Sequence, residues 1–102
     1  MNIYLKKQGP DSVVMFLSGH FDFASSVMLE QKIKPFLDGS FDITLNLKNL
    51  NCISSSALYV LLHVYMSMKL KRRKLVIRNM GEPVRGVFEK TGFIALVDEG
   101  AR

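Results

Sequence analysis

Residues 41–66 read FDITLNLKNLNCISSSALYVLLHVYM, and two different periodicities meet within them. From Phe41 to Leu47 the pattern alternates strictly, with Ile43, Leu45 and Leu47 on one side and Asp42, Thr44 and Asn46 on the other, which predicts a strand. From about Ser55 to Leu70 the apolar spacing becomes helical, since Leu58, Leu61, Leu62, Tyr65 and Met68 or Lys69 fall on one stripe. Between the two lies a polar connection, read here as a loop, holding three consecutive serines, Ser54, Ser55 and Ser56.

The flanking segments extend the same alternation. Upstream, two apolar runs near residues 2–7 and 12–18 flank QGPD, whose proline and glycine suit the turn of an antiparallel hairpin. Phe23 to Leu37 is helical in spacing, with Val27, Met28, Ile33, Phe36 and Leu37 near one face and Ser25 or Asp22 available to cap its start. Pro35 is expected to kink or fray its last turn, and Gly39 to end it in the left-handed conformation. Downstream, KLVIRN reads as a short central strand that is buried. EPVRGVFEKTG reads as a helix with Pro83 in its first turn and Gly92 past its end, and FIALVDEG as a final strand. The predicted order is ββαβαβαβ, an α/β domain with a mixed, mostly parallel sheet flanked by helices.

The chain has 102 residues, which suits a single domain over 1–102, and 48% hydrophobic with 23% charged residues is a globular composition. The first residues, MNIYLKKQGPDS, lack the pattern of a signal peptide, and the longest apolar run, Ala57 to Met66, is too short to cross a bilayer. The single cysteine, Cys52, forms no internal disulfide, so a reducing, cytoplasmic setting is expected. Net charge of +5 favours an acidic partner, phosphate or anionic surface. Five basic residues of KLKRRK (Lys69, Lys71, Arg72, Arg73, Lys74) close the long helix, where cations complement its dipole, and no aromatics interleave them as in a nucleic-acid platform. No nucleic-acid partner and no membrane span are therefore expected.

A constellation for catalysis is missing from the pattern. His20 and His63 lie on different elements without metal-ligand spacing, and Ser56 and His63 stand about 10 Å apart along the helix, too far for a nucleophile and its base. Cys52, between Leu50 and Ile53, reads as an inert and partly buried thiol. The methionines read as core filler. What stays unexplained is the serine cluster, because one hydroxyl from Ser54 or Ser55 suffices to cap a helix and no Glu or Gln follows to make a capping box. The long helix also carries Tyr59, Val60 and Val64 outside its core stripe. Either a flanking segment covers them or they meet another protein.

LNLKNLNCISSSALYVLLHVYMSMKLKRRKLVI resembles the core of the STAS domains, the family of the anti-sigma factor antagonists, in which an apolar strand, Asp-Ser-Ser-Gly-Leu and a helix follow one another. LSGHFDFASS resembles that family's second strand with Asp22 at its acidic position, and VFEKTGF resembles its late helix. Ser54 stands where the family has Asp, Ser55 and Ser56 match its two serines, Ala57 replaces its Gly, and Leu58 matches its Leu. The resemblance implies a non-enzymatic switch without cofactor or metal. In it, Ser56 is phosphorylated by a serine kinase of the anti-sigma type that is also the binding partner, and a PP2C-like serine phosphatase restores it. The implied docking surface comprises Asp22, Ser25, Ser54, Ser55, Ala57, Tyr59 and Val60. Within the same family, the alternative is an unphosphorylated accessory subunit docking on a transport ATPase.

Overall fold

The protein is described by a computed structural model covering residues 1–96 and the backbone of Asp98 and Glu99. Strands β1 (Asn2–Lys7) and β2 (Ser12–Phe21) pair antiparallel across a turn in which Gln8 N–H donates to the Ser12 carbonyl at 2.8 Å. Gly9 takes φ +97° in that turn, a conformation that side chains strain to reach. The chain then alternates through α1 (Phe23–Asp38), β3 (Asp42–Ile53), α2 (Ser55–Leu70), β4 (Leu75–Arg78), α3 (Glu82–Thr91) and β5 (Asp98–Glu99). The five strands lie side by side in chain order, and every pair after the hairpin is parallel. The expected α/β order is the observed one.

Each parallel crossover steps one strand further in the same direction. Right-handed crossovers of that kind put every helix on one face of the sheet. The register agrees, because Val13 and Met15 of β2 stand beside Ile43 and Leu45 of β3, which stand beside Leu75 and Ile77 of β4. This layer forms one core with Leu29 and Ile33 of α1, Leu58, Leu61, Val64 and Met68 of α2, and Val84 and Phe88 of α3. The other face carries Tyr4, Lys6, Phe16, Thr44, Asn46, Val76 and Arg78, exposed or half-buried, around the buried Val14. β4 was expected to be central and buried; it is interior, between β3 and β5, and Val76 is only half-buried because that side of the sheet carries no helix among the described residues.

Several local expectations are corrected. β3 runs to Ile53 instead of ending near Leu47, because bulges opposite Phe16–Ser18 and Gly19–His20 interrupt its alternation without ending its pairing to β2. In α1, Ser25, Ser26, Leu29 and Ile33 are the buried residues while Met28 is exposed. Two serines on the buried stripe hide it from an apolar pattern, and Ser26 is satisfied by donating its hydroxyl to the Phe23 carbonyl at 2.6 Å. Helix α1 continues past Pro35 to Asp38, and Gly39 has extended backbone (φ −86°, ψ −163°). What restricts that position is the Phe41 ring, 3.3 Å from where a Cβ would sit. The start of the expected last strand is instead a 3₁₀ turn, Phe93–Ala95. Phe93 is buried there, stacked on Phe88 (centroids 5.4 Å) and edge-on to Tyr65, so it serves the helical layer instead of the sheet. Val97 and Gly100 of that segment lie outside the described residues.

Candidate functional site

The parallel register sets Phe21, at the end of β2, beside Ile53, at the end of β3. Asp22 and Ser54 are the next residues, and each is the N-cap of the helix that follows. Two helix starts therefore emerge side by side, each bringing unpaired first-turn N–H groups and the positive end of its dipole to one edge of the domain. Ser54 N–H donates to the Phe21 carbonyl at 2.9 Å, which ties the two starts together.

At the start of α2 the cap belongs to Ser54 and not to Ser55. Ser54 Oγ accepts from Ala57 N–H at 3.1 Å, and the Ser54 carbonyl accepts from Leu58 N–H at 3.0 Å. Ser54 is also the whole connection, since β3 ends at Ile53 and α2 begins at Ser55; the expected loop is a single residue. Ser55 and Ser56 are exposed in the first turn, which contains no acidic residue. Ser56 Oγ lies 3.0 Å from Ser54 Oγ, and either hydroxyl can donate to the other. Ala57, at the position after Ser56, takes helical backbone with its methyl fully buried.

At the start of α1, Asp22 and Ser25 form a reciprocal capping box. Ser25 N–H donates to Asp22 Oδ1 and Asp22 N–H donates to Ser25 Oγ, both at 2.9 Å. The Ser25 hydroxyl is also 2.9 Å from Asp22 Oδ1, with the His20 and Asp22 carbonyls slightly farther at 3.2 Å. Donation from the Ser25 backbone, followed by its hydroxyl, holds the exposed Asp22 carboxyl below the usual carboxylate range. Beside it, His20 Nδ1 lies 2.9 Å from Cys52 Sγ. Cys52 is exposed, contrary to the partly buried thiol expected, because Leu50 and Ile53 turn to the core while Asn51 and Cys52 between them face out.

The residues expected to form the docking surface divide by exposure. Asp22, Ser55, Ser56 and Tyr59 are exposed, Tyr59 to 68%, while Ser54 and Val60 are half-buried. Ser25 (6%) and Ala57 (0%) are buried, so they support this surface from beneath and cannot present side chains to a partner. Val64 is part of the core instead of lying outside the stripe. Next to Ser55 a groove of about 250 Å³ runs between Leu58, Tyr59 and Leu62 of α2 and Phe93 and Leu96. Phe93 and Leu96 were not expected here. Their apolar alternation reads as strand, and only the left-handed Gly92 (φ +79°) hints that the chain turns back toward α2.

The sequence matches the STAS domain family over residues 4–99. The chain belongs to that family. It is 25% identical over 103 residues to the anti-sigma-B factor antagonist of Bacillus subtilis (strain 168), with 100% of this chain and 94% of that one covered. The anti-sigma factor antagonist SpoIIAA in its unphosphorylated form superposes with a TM-score of 0.85 at 20% identity, covering 99% of this chain and 90% of the other. SpoIIAA, a Bacillus cell fate determinant, in its phosphorylated form gives 0.78 at 19% identity, covering 99% and 93%. These superpositions show a shared fold.

Elsewhere on this STAS domain three residues of the basic run are engaged with their own fold. Lys71 Nζ donates to the Leu37 carbonyl, Arg73 pairs with Asp42 at 3.7 Å, and Lys69 Nζ sits 5.7 Å from the Tyr65 ring centroid. Among the described residues no cluster of His, Cys, Asp or Glu could hold a metal ion, and no helix is long and apolar enough to cross a membrane.

Proposed function

We propose that this STAS domain is a phosphorylation-controlled protein-binding switch of the anti-sigma factor antagonist kind, with Ser56 as the acceptor. It acts by binding and not by catalysis, in the cytoplasm. Its partner is a serine kinase of the anti-sigma type, which docks on the exposed edge made by Asp22, Ser55, Ser56 and Tyr59 when Ser56 is unmodified. A PP2C-like serine phosphatase reverses the modification. The observation that carries this reading is a division of labour: Ser54 alone caps the helix, which leaves the exposed hydroxyls of Ser55 and Ser56 outside the cap. The relative and the family named above support the same reading.

Phosphoryl transfer from ATP would form the Oγ–P bond of Ser56, release ADP and remove the hydroxyl proton. The product carries about −1.5 to −2 charges. Facing the first-turn N–H groups it is tolerated by the fold, and net charge falls from +5 to roughly +3. At a docked interface the consequence is opposite. Burying an unpaired phosphate costs several kcal/mol, and about 3 kcal/mol already lowers affinity more than 100-fold.

The test is incubation with ATP and a serine kinase of the anti-sigma type, followed by phosphosite mapping by mass spectrometry and binding of Ser56→Ala and Ser56→Asp. Label on Ser56, retained binding for Ala and lost binding for Asp are expected. Label on another residue would refute the assignment. Equal binding by both variants would favour an accessory subunit on a transport ATPase.

A further inference from the structure

We infer that the open face of the sheet is a platform for single-stranded nucleic acid, on which Tyr4 and Phe16 stack unpaired bases while Lys6, Lys48 and Arg78 meet the phosphates. This second surface lies away from Ser56 and does not rest on the switch reading above.

The helices pack on one side of the sheet, so the outward side chains of β1 to β4 form a bare layer. The strand registers line up Tyr4, Phe16, Asn46 and Arg78 in one row across these four strands. Neighbouring strands lie about 4.8 Å apart, so the row spans roughly 14 Å, room for two or three bases. A solvated sheet face ordinarily presents polar side chains at such positions. Here Tyr4 is 66% and Phe16 37% exposed, with ring centroids 5.9 Å apart and planes tilted by 45°. Helices behind and exposed aromatics in front is an arrangement with which four-stranded sheets stack unpaired bases. Asn46 beside Phe16 suits the same task. Its Oδ1 accepts from Lys48 N–H at 3.0 Å, which leaves the two protons of Nδ2 for an acceptor on a base.

Charge selects the occupant. Lys6, Lys48 and Arg78 are exposed, and none has an ion-pair partner among the described residues. Carboxylates stand only at the margins of this face: Asp42, at the start of β3, pairs with Arg73, and Asp98 holds the register position beside Val76 on β5. A second copy of the chain would set these cations against their like, whereas the phosphates of a nucleic-acid strand complement them. KLKRRK argues against a nucleic-acid partner because its cations have no aromatics among them. On the open face the two residue types come from separate strands and meet through register, where no linear run shows them.

The test titrates the full chain with RNA and DNA single strands of about twelve nucleotides, with a duplex of the same sequence and with polyglutamate, by fluorescence anisotropy and backbone amide NMR. Saturable binding of a single strand is expected, with amide shifts at Tyr4, Phe16, Asn46 and Arg78 and none at Ser56; the preferred strand identifies the sugar. Tyr4→Leu and Phe16→Leu keep an apolar side chain and remove the stacking ring, and each should weaken binding about fivefold or more. Lys6→Gln and Arg78→Gln should each lower the slope of log K against log salt by about 0.7. Circular dichroism confirms that each variant is folded, and the shift map of the parent needs no variant at all. Duplex or polyglutamate bound as tightly as the single strands, an affinity unmoved by loss of either ring, or no binding overturns the inference. Ser56→Asp should bind like the parent, so a failure of the switch reading leaves this one standing.

Discussion

An alanine scan through the serine cluster should separate three neighbouring hydroxyls by role. Ser54 is the cap of α2, and the N–H it accepts from belongs to Ala57, a residue with no exposed surface, so water is poorly placed to substitute. Loss of such a cap costs about 1 kcal/mol, within a range of about 0.5–2. For a chain of this length, an unfolding entropy of about 2.1 cal/mol/K per residue converts about 1 kcal/mol into a fall in Tm of roughly 5 °C. Ser55 is exposed and makes no side-chain hydrogen bond to another described residue, so Ser55→Ala should stay within about 0.5 kcal/mol of the parent. Among the described residues Ser56 hydrogen-bonds through its hydroxyl only with Ser54 Oγ, and it is also exposed, so Ser56→Ala should cost no more than about 0.5 kcal/mol. Urea unfolding with linear extrapolation, alongside calorimetry, measures all three. Equal losses for Ser54→Ala and Ser56→Ala would refute the reasoning, since Ser56 would then be structural and not free for modification.

Two further outcomes follow from the same contacts. Leu61→Ala, at the fully buried centre of α2, should cost about 3 kcal/mol or more, while Leu70→Ala, at a position 86% exposed, should stay within about 0.5 kcal/mol; thermal unfolding by circular dichroism compares them. The folded state lowers the pKa of Asp22, so its contribution to stability is complete above the unfolded value and is lost as pH falls from there through the folded value. Ser25→Ala should move the Asp22 titration partway toward the ordinary range, because the backbone N–H at position 25 still donates. An unchanged carboxyl titration by ¹³C NMR would contradict that account.

The order of elements was legible because each change of period is strong: Ile43, Leu45 and Leu47 alternate, and Leu58, Leu61 and Leu62 do not. Extents were less legible where structure is made by pairing and not by pattern. The bulges of β3 answer to its neighbour β2, and nothing in KNLNCI itself announces that the strand continues. Burial was misread where small polar residues line a packed face, as Ser25 and Ser26 do in α1, and where an apolar run serves a helix instead of a strand, as Phe93 does. At the site, hydroxyl residues at a helix start were evident, but which of Ser54 and Ser55 caps depends on where the first helical residue falls. The Asp22–Ser25 box is local to one helix start, whereas the His20–Cys52 contact depends on the parallel register that brings separate stretches level. The exposure of Cys52 follows from that placement as well.

The junction between β3 and α2 is one residue long, pinned through its amide to Phe21 and through its hydroxyl to Ala57. A hinge needs slack, and this joint has none. A mark written at Ser56 therefore has no lever by which to move distant parts of the domain, and it must be read by touch, like ink on a rigid page. A protein that tells the two forms apart has to place its own surface on the first turn of α2, and one resting on the opposite face of the sheet would find the domain unaltered.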